Sequence, residues 1–261
     1  DFYYFRKDRD RTKAELMRNI TDTVKHLLII NVIFFIATIA LGEIVFDLFA
    51  LHYPSNPKFQ FWQPLTHMFM HGDLGHIFFN MFALYMFGIP IEQMWGRNKF
   101  IFFYLSTGFG AAALQLGLYY FQVNEVSELL IAQGQTGSQI ATFFETRDLS
   151  YTLIEQIGRE KLLSGLSAYK AVMVGASGAL YGVLVAFAFL FPNARLMLLF
   201  PPIPIKAKVL VPLLILGDLF FGFTSYSVGP IAHLAHGGGA VTGLIMMWYW
   251  KKTQFDQNRW N

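Results

Sequence analysis

The stretch Ala171-Val-Met-Val-Gly175-Ala-Ser177-Gly-Ala-Leu-Tyr181-Gly-Val-Leu-Val-Ala-Phe-Ala-Phe-Leu-Phe191 carries no charged side chain. It is about as long as the ~20-residue helix needed to cross ~30 Å of hydrocarbon. Five further blocks of the same character flank it: Leu27–Leu51, with Glu43 and Asp47 towards its far end, Leu74–Ile91, Phe100–Val123, Val209–Gly229, interrupted by Asp218, and Ile231–Trp250. Over the whole chain of 261 residues, 54% are hydrophobic and 14% charged, where a soluble domain carries about 25% charged residues. So much apolar surface in long uncharged runs calls for a membrane as solvent. The expected fold is an all-α membrane protein, a bundle of six transmembrane helices.

Basic residues orient the bundle. With six crossings, the side holding the amino terminus, the 2–3 and 4–5 loops and the carboxyl terminus carries 15 of the 20 Lys and Arg residues. The other side holds Lys58, Arg147, Arg159, Lys161 and Lys170. The positive-inside rule then places both termini in the cytoplasm. This divides the chain into a cytoplasmic segment 1–26, a membrane domain 27–250 and a cytoplasmic tail 251–261. Within the membrane domain, 122–170 is an extracytoplasmic insertion, where Tyr151–Leu166 could form a short amphipathic helix at the interface. The first apolar block is too long for the h-region of a cleavable signal peptide. The net charge of +3 forms no nucleic-acid face, and the absence of cysteine excludes thiol nucleophiles, disulfides and thiolate metal sites.

Polar groups inside apolar helices require an explanation. Ser177 has two: close packing among Gly175, Gly178 and Gly182, or nucleophilic chemistry. A soluble-hydrolase elbow is excluded, because no strand precedes the serine and the spacing is not Gly-x-Ser-x-Gly. The last block reads Ala235-His236-Gly-Gly-Gly239 and then Gly243. Glycines three and seven residues after His236 make a smooth face that admits a neighbouring helix. If that neighbour carries Ser177, a neutral imidazole could take the serine proton; satisfied polar packing is the other reading. His76 and Asn80 lie four apart on one face and can both donate hydrogen bonds, which suits an oxyanion. His67 and His71 are also four apart, but no His-Glu-x-x-His motif occurs, so no metal is assigned. Their expected role is to tie down the outer loop.

Taken together, His71-Gly-Asp-Leu-Gly-His76-Ile-Phe-Phe-Asn80, Gly175-Ala-Ser177-Gly-Ala-Leu-Tyr181-Gly and Ala235-His236-x-x-Gly239-x-x-x-Gly243 resemble the three signatures of rhomboid proteases, in order and on the matching helices. Phe191-Pro-Asn-Ala-Arg195 and Pro-Ile-Pro-Ile-Lys206 resemble bacterial members. The resemblance covers about Phe61–Trp250, apart from the 3–4 loop. It implies an intramembrane serine endopeptidase without cofactor or metal, in a bacterial inner membrane. Its partners would be transmembrane protein substrates and the lipid bilayer, not nucleic acid. It further implies Ser177 as nucleophile and His236 as general base and acid, with no third carboxylate. The oxyanion hole would come from His76, Asn80 and the Ser177 backbone N–H. Tyr181 would pack on the imidazole, with Gly175, Gly178, Gly239 and Gly243 supporting the site. Glu92 matches a structural position. The chain departs from the pattern at Trp62-Gln63, where many members have Trp-Arg, and in its long 3–4 loop.

Overall fold

The computed structural model describes residues 20–147, 150–197, 203–223 and 233–254. The first helix, α1 (Asp22–Leu41), is apolar on all sides. It leaves Ile29, Ile33, Ile36 and Ile39 exposed, as a lipid-facing rod does. It stops ten residues short of the expected end, because Gly42 takes a positive φ of 57°, a conformation that glycine adopts readily. Glu43 and Asp47 therefore lie on a separate short helix, α2 (Glu43–Phe49), and not inside a span. Asp47 pairs with Lys58 at 2.8 Å.

A loop segment follows: β1 (Leu51–His52), α3 (Gln63–Thr66) and a 3₁₀ turn at His67–Phe69. Gln63, where the family resemblance would put arginine, is fully buried. Its amide nitrogen donates to the Asp47 and Lys58 carbonyls at 3.0 and 2.9 Å, and its oxygen accepts from the His52 N–H at 3.2 Å. A neutral amide thus ties the loop together from inside.

The second rod comprises α4 (Leu74–Ala83), a π-helical turn at Leu84–Gly88 and α5 (Ile89–Trp95). Pro90 has no N–H for the preceding turn, which accounts for the widening there. At its far end the buried Glu92 carboxylate accepts the N–H groups of Thr23 and Val24, each at 3.0 Å. These are orphan donors of the first turn of α1, so Glu92 caps that helix from a distance, a structural role.

The third rod, α6 (Arg97–Ala132), has 36 residues, about 54 Å at ~1.5 Å per residue. It overshoots the hydrocarbon and takes up the first eleven residues, 122–132, of the expected loop. Three helices pack on the overhang: α7 (Gly137–Thr146), α8 (Tyr151–Ile157) and α9 (Arg159–Lys170). Val126, Leu130, Phe143, Phe144, Leu162 and Leu166 form a separate small core there. The single amphipathic helix expected over 151–166 is broken at Gly158, with φ 95°.

After β2 (Val172–Met173), which pairs antiparallel with β1, comes α10 (Ser177–Leu190). It has 14 residues, not the 21 expected from the apolar stretch. At about 21 Å it is shorter than the hydrocarbon layer. Residues 171–176 lead into it outside the helix, with Val172–Met173 in the ladder opposite Leu51–His52 and Gly175 N–H donating to the His67 carbonyl at 2.9 Å. Irregular backbone at membrane depth is tolerated where protein covers it.

A hairpin of β3 (Arg195–Met197) and β4 (Pro204–Lys206) leads to α11 (Ala207–Phe223), and α12 (His233–Gln254) closes the chain. Residues 224–232, which include the expected end of the fifth span and the start of the sixth, lie outside the described residues, as do 1–19 and 255–261. Among the described residues, three helices are long and apolar enough to cross a membrane: 22–41, 74–95 and 97–132. The centre of the molecule is the contact of α6, α10 and α12, built from small residues. A Cβ on Gly178 would meet the Ala111 Cβ at 2.5 Å, one on Gly243 the Gly182 Cα at 2.8 Å, and one on Gly239 would run into the Gly178 carbonyl.

Candidate active site

Ser177 is the first residue of α10, so its own N–H has no intrahelical acceptor. The close approach of α10 and α12 brings His236 over it, with 2.7 Å between Ser177 Oγ and His236 Nε2. Tyr181, one turn further along α10, stacks on the imidazole with 4.3 Å between ring centroids and 9° between planes. The ring is therefore held in face by Tyr181 and in edge by its hydrogen bonds. His233, three residues earlier on α12, makes no bond to the serine; its Nδ1 lies 2.7 Å from Asp218 Oδ1.

Across from the serine stands the start of α4. Asp73 caps that helix by accepting the His76 N–H at 2.8 Å, which fixes where the His76 ring begins. Gly175 has φ 121°, and a Cβ there would lie 2.7 Å from His76 Nε2 and 3.5 Å from Ser177 Oγ. The missing side chain is the space that lets these groups face one another. Asn80 is buried, and its amide nitrogen has no hydrogen-bond partner among the described residues. It is a donor in waiting. His76, Asn80, Ser177 and His236 share a cavity of about 610 Å³, walled by Gly72, Asp73, Gly75, Phe79, Val172, Met173, Val174 and Ala235.

Of the other histidines of this loop, His67 is tied in by hydrogen bonds as expected, whereas neither ring nitrogen of the buried His71 has a hydrogen-bond partner among the described residues. His67 is buried, its Nδ1 is bonded to the Gln63 carbonyl at 3.0 Å, and its own carbonyl holds Gly175 N–H. His71 packs edge-on against His76 at 4.8 Å. Burial pushes both down to about 4, so both are neutral at pH 7; for His71 the neighbouring His76 adds to the effect.

One member of the cluster was not assigned from the sequence. Asp218 of α11 sits behind His236, with 2.8 Å between its Oδ2 and His236 Nδ1. The resemblance implied no third carboxylate; here a carboxylate lies in the place where one would stand. The signal was present, since an aspartate inside an apolar span demands a partner, and two histidines three apart on α12 are the partners available.

The family model described as the Rhomboid domain matches residues 58–253. The chain belongs to the rhomboid family. A curated relative, "Rhomboid protein 1, mitochondrial" of Saccharomyces cerevisiae (strain ATCC 204508 / S288c), is 34% identical over 88 residues, which is 33% of this chain and 24% of that protein. The match therefore spans about a quarter of the relative's length. All of the Ser177 cluster, Asp218 included, falls within the rhomboid match. With its long apolar helices, this rhomboid is an integral, all-α membrane protein.

Proposed function

We propose that this rhomboid is an intramembrane serine endopeptidase that cuts transmembrane segments of membrane proteins near the outer membrane face. The observation that carries the reading is the 2.7 Å separation of Ser177 Oγ from His236 Nε2 inside an apolar bundle. Ser177 Oγ attacks the scissile carbonyl while His236 Nε2 accepts its proton. The negative charge that develops on the carbonyl oxygen is met by donors of His76 and Asn80 and by the Ser177 N–H. His236 then gives its proton to the leaving amine, and the peptide C–N bond breaks to leave an acyl-enzyme. Water, deprotonated by the same imidazole, releases the acid and restores the serine.

The shortness of α10 supports the depth of the cut, since Ser177 begins a helix of only 14 residues, too short to reach across the hydrocarbon. A substrate helix hides its carbonyls in internal hydrogen bonds, so a cut needs local unwinding. Gly or Pro near the site lowers that cost. The six-crossing topology and cytoplasmic termini complete the proposal, on the strength of the asymmetry in Lys and Arg, and a bacterial inner membrane on the likeness of Phe191-Pro-Asn-Ala-Arg195 and Pro-Ile-Pro-Ile-Lys206 to bacterial members. The test is cleavage of a single-span substrate in liposomes by wild type and Ser177→Ala. Loss of all turnover in a variant that melts at the wild-type temperature is expected. Turnover well above a no-enzyme control in Ser177→Ala, or products cut near the cytoplasmic end, would contradict it.

A further inference from the structure

Asp218, His233 and His236 form a three-member cluster on two helices, with side chains only 8–12% exposed. The serine-histidine reading uses one nitrogen of one of them. Each oxygen of the carboxylate has its own imidazole: Oδ1 lies 2.7 Å from His233 Nδ1 and Oδ2 lies 2.8 Å from His236 Nδ1. A carboxylate is acceptor-only, so both imidazoles must present N–H at Nδ1. That leaves Nε2 of His236 as an acceptor, aimed at Ser177 Oγ at 2.7 Å.

We propose that Asp218 is a positioning residue of the hydrolytic reaction. It holds His236 in the Nδ1–H tautomer and balances the imidazolium formed when Nε2 takes the serine proton, while His233 pins its second oxygen. This rests on the serine-histidine reading above. No atom is exchanged with Asp218: it accepts two hydrogen bonds before, during and after the transfer, and stays ionised. His233 has a distinct duty. Without it, the carboxylate is free to rotate about its side-chain bonds away from His236. Among the described residues, the charged and titratable groups around the carboxylate are His233 and His236 from α12 and Tyr181 from α10, with His76 facing His236 across the cavity.

The rival for the same atoms is a metal ion, because the three potential ligand atoms lie within 4.8 Å of one another. Hydrogen-bonding distances between each nitrogen and each oxygen favour the proton-sharing arrangement.

The test compares wild type with Asp218→Asn. Asparagine keeps the shape but loses the charge, and it offers an acceptor oxygen to one Nδ1–H while its amide N–H donor faces the other. A purely structural Asp218 would show its loss in melting temperature and folded fraction. A positioning Asp218 shows it in kcat, about 10²-fold lower per folded molecule, with KM changed less than threefold. The rate of serine labelling by a fluorophosphonate falls in parallel. The wild type itself supplies a second readout. In ¹⁵N-histidine NMR spectra, the signals missing from His236→Ala are expected to report the Nδ1–H tautomer. An Nε2–H tautomer there overturns the proposal, whatever Asp218→Asn does to folding. So does wild-type kcat in folded Asp218→Asn, or activity lost to a chelator and restored by Zn²⁺. Failure of the wild type to label at all would instead overturn the serine-histidine reading, which separates the two.

Discussion

His233 and His236 are one turn apart on α12 and bind the same carboxylate, yet the nitrogen that meets Ser177 belongs to His236. Counting from the apolar ends of the helices chooses the same residue. Ser177 and His236 each stand 14 positions before Phe191 and Trp250, whereas His233 is about 4.5 Å shallower. His236→Ala should therefore end proteolysis, while His233→Ala should leave a measurable fraction. Side-by-side turnover assays decide it, and the reverse ranking would move the base to His233. His67 and His71 lend themselves to a different measurement. Burial lowers both from 6.5 to about 4. Between those values the unfolded chain binds more protons than the folded one, so stability is full above about pH 6.5 and is lost as pH falls towards 4. The loss is on the order of 3 kcal/mol per residue near pH 4. Melting curves from pH 7 to 4 should fall for wild type and flatten for His67→Gln. Equal slopes would mean that His67 is not held neutral. Asp218 was the residue hardest to read from sequence. Its partners come from a helix whose approach depends on the whole bundle, and a local pattern contains only an aspartate in a greasy run.

At the scale of elements, the apolar blocks located the rods, and the glycine spacing on α12 located the contact with α10. A Cβ at Gly239 would strike the backbone carbonyl of Gly178, which cannot move away cheaply. One at Gly237 would meet Leu219 Cδ2 at 2.8 Å, the end of a flexible side chain. Gly239→Val should thus separate Ser177 from His236 and reduce turnover by at least an order of magnitude, with Gly237→Val much milder. Comparable activities in a paired assay would show that the α10–α12 contact is misassigned. The ends of the rods were less legible. Hydrophobicity runs unbroken from Ala171 to Phe191, yet the helix starts at Ser177. Residues 172–173 pair instead with Leu51 and His52, more than a hundred positions away. Likewise nothing in composition distinguishes Leu41 from Ile44, while the positive φ at Gly42 ends the helix between them. Propensity describes a block; long-range pairing and single backbone angles decide its limits.

On the scale of the whole molecule, two cores share one long helix. The membrane core surrounds α10, and the cap core of α7–α9 sits on the overhang of α6. The insertion was legible as an insertion but not as a folded cap. Its helices are short and mixed in polarity, and they gain stability by packing on one another and on Val123, Val126 and Leu130 of α6. The cap also reaches the loop between β1 and α3: the Tyr169 hydroxyl donates to the Ser55 carbonyl at 3.0 Å, and the Asn56 amide to the Tyr169 carbonyl at 3.2 Å. Leu162→Asp puts a charge in the cap core and should free α7–α9 for limited proteolysis while α6, α10 and α12 stay protected. Cleavage patterns identical to wild type would show that the cap does not depend on that core. The proposed reaction turns on Ser177, half-buried beside His236, being a nucleophile. It is tested most directly by treating the folded protein in liposomes with a fluorophosphonate and mapping the adduct by mass spectrometry. A phosphonyl group is expected on Ser177, absent from Ser177→Ala and strongly reduced in His236→Ala. An unlabelled Ser177 in protein that melts cooperatively, or an adduct on another residue, would contradict it.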